Sequence, residues 1–177
     1  GLGGGIYNQG SGAGNNSSPT IRNCIISNNR AVFGAGIFNN GFNGGNSNPV
    51  ISHCIITGNI ATDGGGGIDN FGLQGNASPT ITNCIFYANT ALTAGGIYCW
   101  GGNTGGNSSP VILNCIFANN TATAGNAGGI IADNADASGG TNSGTSNPVV
   151  RNSIFWGNTA TGAGPQFAIK GTGTFIA

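Results

Sequence analysis

Cysteine recurs in this chain at a fixed interval. Cys24, Cys54, Cys84 and Cys115 are 30, 30 and 31 residues apart, and Ser153 takes a fifth place in the series. Five residues after each comes an asparagine: Asn29, Asn59, Asn89, Asn120 and Asn158. Two further on stands an alanine, at 31, 61, 91, 122 and 160. Pro19, Pro49, Pro79, Pro110 and Pro148 each precede a Thr/Val-Ile/Val pair, and Gly-Ile recurs at Ile6, Ile37, Ile68, Ile97 and Ile130. A period of this length marks a stacked array in which each unit buries its apolar face against its neighbours.

Helical repeats of similar length exist, but these units are poor helices. Each carries a proline and several glycines, its apolar runs are short and rich in Ile, Val and Phe, and its connections are Asn/Gly/Ser clusters. Three short strands separated by turns fit about 30 residues, so one unit reads as one coil of an all-β, right-handed parallel β-helix. Five units are expected over residues 1–161. A truncated sixth unit and a strand-like C-terminal tail are expected over 162–177, all within a single domain. Gly164-Pro165-Gln166-Phe167 opens the partial unit, and no amphipathic capping helix is evident.

The G-G-I and F-x-x-N elements resemble the repeats of polymorphic outer-membrane proteins and related autotransporter passenger domains. They stand here as Gly4-Gly5-Ile6, Gly67-Ile68, Gly95-Gly96-Ile97 and Gly128-Gly129-Ile130, and as Phe86 to Asn89, Phe117 to Asn120 and Phe155 to Asn158. The first two units depart from the second motif, with Ile26 and Ile56 at the Phe position. The resemblance spans most of residues 1–161. It implies the fold, and an adhesive or surface-structural role.

Composition narrows the function. Of 177 residues 36 are Gly, and four Lys/Arg balance four Asp in a chain without Glu or Met. Such a neutral surface offers no electrostatic footprint for nucleic acid or for an anionic membrane. At 38% hydrophobic the chain is too apolar for a charge-rich disordered segment, and it lacks the collagen period. Its apolar runs are far shorter than the roughly 18 residues of a membrane span. The Gly/Asn/Ser/Thr-rich composition suits a secreted or cell-surface protein, beginning inside a longer precursor or after a removed signal. Asn15, Asn16, Asn76, Asn107 and Asn119 stand in glycosylation sequons, which such a composition produces by chance.

Little in the sequence supports catalysis. Glycoside hydrolysis requires paired carboxylates, and only Asp63, Asp69, Asp133 and Asp136 exist. Asp133, Asn134 and Asp136 form a weak candidate Ca²⁺ site in the longest loop, and no cofactor is expected. A Thr array of the ice-binding kind is too irregular here, and a solitary His53 reads as a substitution in a column of Asn23, Asn83, Asn114 and Asn152. The Cys column reads as buried free thiols. Cys99 stands apart, in the place of Asn8, Asn39 and Asn70.

Strand alternation makes the most specific expectation. Cys24 and Ile26 share one face of a strand and Ile25 takes the other. With the Cys and Phe columns inside, Ile25, Ile55, Ile85, Ile116 and Ile154 form an outward apolar ladder, and with the faces reversed the ladder is Cys plus Phe; such a stripe marks an interface or is covered by a loop of the same chain. Open coil ends and the tail residues Phe167, Ile169, Phe175 and Ile176 add further candidate contacts, the tail either capping its own last coil or adding a strand to a neighbour. The expected partners are copies of the same chain, stacked end to end or side by side. The alternative is an adhesin that binds glycans through the polar loops 8–18, 39–48, 70–78, 99–109 and 131–147.

Overall fold

A computed structural model describes residues 1–135 and 144–176. The chain is a parallel β-solenoid of about 31 residues per turn, with no helix among the described residues. The first coil contributes β1 (Ile6–Gln9), β2 (Thr20–Arg22), β3 (Ile25–Ser27) and β4 (Arg30–Ala31). The second repeats them as β5 (Ile37–Asn40), β6 (Val50–Ser52), β7 (Ile55–Thr57) and β8 (Ile60–Ala61). The third has β9 (Ile68–Phe71), β10 (Thr80–Thr82), β11 (Ile85–Tyr87) and β12 (Thr90–Ala91). The fourth has β13 (Ile97–Trp100), β14 (Val111–Leu113), β15 (Ile116–Ala118) and β16 (Thr121–Ala122). The fifth has β17 (Ile130–Asp133), β18 (Val149–Arg151), β19 (Ile154–Trp156) and β20 (Thr159–Ala160), and β21 (Phe167–Lys170) follows. Equivalent strands pair in register into one sheet of six strands and three of five.

The coil therefore has four strands where the sequence suggests three. The extra breaks are single-residue corners in the left-handed region. One column of corners is Asn23, His53, Asn83, Asn114 and Asn152, with φ between 50° and 55°. The next is Asn28, Gly58, Ala88, Asn119 and Gly157, with φ between 53° and 63°. Asparagine and glycine tolerate this conformation because it costs them least. The first column is thus a row of exposed corners, and its asparagines are there for their backbone.

The core is built from columns. Ile37, Ile68, Ile97 and Ile130 face inward beside Ile51, Ile81 and Ile112, and Phe86 stacks on Phe117 at 4.5 Å and 5°. Phe155 continues that stack at 4.6 Å and 2°. The Gly of each Gly-Ile pair is a close-packing residue. A Cβ on Gly36 would stand 2.4 Å from the carbonyl oxygen of Gly67, and one on Gly96 equally close to that of Gly129. Neighbouring coils leave no room there for a side chain.

The Asn29/59/89/120/158 column turns inward and forms a continuous ladder. Each carboxamide oxygen accepts both the backbone N–H and the side-chain N–H of the preceding coil's asparagine, at 2.9–3.1 Å. The other side-chain N–H of Asn59, Asn89, Asn120 and Asn158 donates to the carbonyl of Ile26, Ile56, Phe86 and Phe117 respectively. A second inward ladder runs from Asn8 through Asn39 to Asn70 and ends at the Cys99 thiol.

Candidate association surfaces

The third sheet, of β3, β7, β11, β15 and β19, turns one face to the core and the other to solvent. Cys54, Cys84 and Cys115 and the Ile26/Ile56/Phe86/Phe117 column lie inside. Outside, Ile25, Ile55, Ile85, Ile116 and Ile154 are 71, 39, 37, 38 and 60% exposed. They are stacked in register along the whole rod. Two residues along the same face, Tyr87 and Trp156 are also largely exposed. Nothing among the described residues covers this stripe. At about 4.8 Å per coil it is a straight apolar line some 20 Å long.

The two ends carry unpaired strand edges. At the N-terminal end Ile6, Cys24 and Ile26 line a cavity of about 370 Å³. At the other end a larger one, about 660 Å³, is lined by Val150, Arg151, Phe155, Phe167, Phe175 and Ile176 among others. This end is stepped. The six-stranded sheet gains its last strand from β21, and Ile176 bridges Val149 beneath the second sheet, so these two sheets extend one level beyond β19 and β20.

The tail is used within its own chain. β21 pairs with β17, the Ile176 carbonyl accepts the Val150 N–H at 2.8 Å, and the Ile176 N–H donates to Pro148 at 3.1 Å. Phe167 lies 4.1 Å from Phe155, Phe175 packs on Phe167 at 4.9 Å, and both pack against the core. Of the two uses the sequence allows for the tail, the described residues take the first: Phe167 and Phe175 cap the last coil by extending the Phe86–Phe117–Phe155 stack, and they line the end cavity. Ile169 and Ile176 remain exposed. Between β21 and the bridge at Ile176 the tail is irregular, so the strand expected over 168–177 is in fact short.

Two of the three candidate calcium ligands of the longest loop lie among the described residues, and both have partners within the chain. The buried Asp133 carboxylate accepts the Tyr98 hydroxyl at 2.7 Å, the Lys170 ammonium at 3.1 Å and the Ala135 N–H at 2.9 Å. Asn134 donates to Gly144 and Thr172, and its oxygen accepts the Thr172 N–H. Asp133 thus joins β17 to Tyr98 of β13 and Lys170 of β21, and Asn134 joins the residue after β17 to Thr172 beyond β21. Asp136 lies outside the described residues.

All five cysteines are free thiols, and only Cys24, in the end coil, is exposed. Cys24, Cys54, Cys84 and Cys115 each donate to the carbonyl two residues upstream, at 3.1–3.2 Å. Burial pushes the Cys54 thiol up and that of Cys99 up to about 12, so these two are poor nucleophiles.

A feature invisible in the periodicity is a second apolar layer outside the six-stranded sheet. Phe38, Tyr98 and Ile131 point away from the core yet are buried. Phe38 contacts Tyr7 and Phe71 at 5.6 and 5.9 Å, and Phe71 meets Trp100 edge-on at 5.1 Å. Asp69 is buried in the same column, between Phe38 and Tyr98. The signal for this layer was bulky residues at both parities of I-Y-N, I-F-N and I-Y-C, which marks a strand buried on both faces.

Comparison with family models, with curated proteins and with solved structures finds no match in any of the three. No helix in the described chain is long and apolar enough to cross a membrane.

Proposed function

We propose that the protein is a non-catalytic extracellular structural module whose copies associate side by side through the isoleucine ladder. The observation that carries this reading is the ladder itself: five isoleucines in register on a rigid sheet, exposed along the whole rod. A protein with almost no charge meets little self-repulsion on approach. The likeness of its repeats to outer-membrane and autotransporter passenger repeats supports a surface location. Electron micrographs and sedimentation of the purified chain at micromolar concentration test the association. Ordered assemblies that Ile85→Lys disperses without loss of fold support the reading, and a wild-type chain that stays monodisperse sinks it.

One observation favours an adhesin instead. Tyr7, Phe42, Phe71 and Trp100 form a partly exposed ridge of rings beside the polar loops 39–48, 70–78 and 99–109. Aromatic faces next to amide-rich loops suit glycans. A glycan screen in which a monomeric protein binds, and Trp100→Ala does not, selects this alternative.

A further inference from the structure

Asp69 lies on β9, on the side turned away from the solenoid core, and is 0% exposed. Neither carboxyl oxygen has a hydrogen-bond partner, a condition shared by no other buried side chain among the described residues. Its register neighbours are the Phe38 and Tyr98 side chains. Above it runs the glycine segment 64–67. A Cβ on Gly64 would lie 3.0 Å from Asp69 Oδ2 and 2.4 Å from the Tyr98 ring. Gly65, at φ +62°, would place one 2.8 Å from the Asp69 Cβ. The segment is pinned in the ladder, with Gly64 accepting the Gly34 N–H at 3.1 Å and the Gly65 N–H donating to Thr93 at 3.2 Å.

The charges around Asp69 are of the wrong sign to hold an anion. Asp63 acts from the glycine segment, and β13 supplies only the Tyr98 hydroxyl and the Cys99 thiol. On β5 the neighbour is Phe38, without charge. On β17 the acidic neighbour is Asp133, and Lys170 of β21 is paired with it. Asp133 shows what a buried carboxyl group is given in this layer: a hydroxyl, an ammonium and a backbone N–H. Asp69 has none of these, and an unpaired buried carboxylate takes up a proton instead.

We propose that Asp69 is a proton-binding site, carried as the neutral acid in the folded solenoid, so that rising pH loosens the outer layer over coils two to four. Burial first, and the Asp63 charge second, raise its pKa well above the usual carboxylate range. In the unfolded chain the group titrates near the ordinary value, about 3.9. A folded pKa above the unfolded one gives stability that is fully present below about pH 4 and is lost as pH rises through the folded value. Across that window one proton separates the two states, and the folded-to-unfolded ratio falls about tenfold per pH unit.

The test is urea denaturation of the full chain and of Asp69→Asn from pH 3 to pH 9. Near pH 3 the two should differ by a constant offset. From about pH 4 upward the variant should gain on wild type, by about tenfold in folding constant per pH unit, until the folded pKa is reached. Parallel curves overturn the proposal. So does a calcium-induced stabilisation of wild type that Asp69→Asn abolishes, since it would mean an ionised, cation-bound carboxylate. If the variant does not fold, carbon NMR of the aspartate carboxyls in wild type decides. A resonance at the protonated-acid position at pH 7 is expected, and ionised positions for all of Asp63, Asp69, Asp133 and Asp136 exclude it.

Discussion

Two asparagine columns run the length of this rod, and they do opposite things. Asn89 stands in one, six residues after Asn83 in the other, and the same spacing recurs in coils one, four and five. Asn89 is buried, accepts two hydrogen bonds from Asn59 and donates to Asn120 and Ile56. Asn83 is exposed, with φ at 53°, and its side chain reaches only the His53 ring at 3.3 Å. One column is selected by its side-chain hydrogen bonds and the other by its backbone. Recurrence alone does not separate these causes, but tolerance does: the corner column accepts His53, while the ladder admits only asparagine.

That difference can be broken most forcefully at Asn89. Replacing it with Ala leaves the backbone N–H and one side-chain N–H of Asn59 without an acceptor in the dry interior. At about 1–3 kcal/mol for each of these two orphaned groups, the expected loss is at least about 2 kcal/mol. A urea midpoint for Asn89→Ala close to that of wild type would erase the distinction between the columns. The outer layer offers a smaller version of the same effect. Tyr98→Phe removes the hydroxyl that donates to Asp133 at 2.7 Å but leaves Lys170 and the Ala135 N–H in place. We expect a loss of about 1–2 kcal/mol by thermal denaturation. A larger loss would mean that Lys170, half exposed at the surface, contributes little to holding the carboxylate.

At the corners the effects shrink and depend on the backbone. Asn83→Ala should cost about 1 kcal/mol, because a Cβ-bearing residue without a local hydrogen-bonding group is least at ease at positive φ. Asn83→Gly should be nearly neutral, and equal losses for the two variants would show that the Asn83 side chain matters after all.

These columns also show how far the sequence could be read. The coil and its columns followed from spacing, because identical residues at one period leave few arrangements of a stack; strand alternation set the isoleucines opposite the Cys and Phe columns but did not fix which of the two faces is outward. The number of strands per coil did not follow, since a corner made by one left-handed asparagine looks like any other strand residue. The tail was only partly legible for a different reason: Phe167 takes the place of the Gly-Ile isoleucines, Gly164 keeps the positive-φ position of Gly3, Gly34 and Gly65, but Pro165 and Gln166 replace the glycines between. Asp69 was least legible of all. Its column reads Tyr7, Phe38, Asp69, Tyr98 and Ile131, so periodicity says nothing about it, and only the glycine run 64–67 hints that chain passes over that spot.

The finest test of the corner rule lies where the protein departs from it. Ala88 sits at φ 53° in the column that otherwise holds Asn28, Gly58, Asn119 and Gly157. Its N–H donates to Ala118 at 3.0 Å, so its conformation is fixed by the coil and not by its own preference. Gly at this position relieves the Cβ strain of about 1 kcal/mol or more but adds freedom to the unfolded chain, which opposes the gain. The net expectation for Ala88→Gly is a stabilisation of about 0.5 kcal/mol, read as a higher urea midpoint at unchanged slope. A destabilised Ala88→Gly would mean that the methyl group itself packs usefully at this corner. The two kinds of column would then overlap, with side-chain contacts helping to choose residues even where the backbone sets the rule.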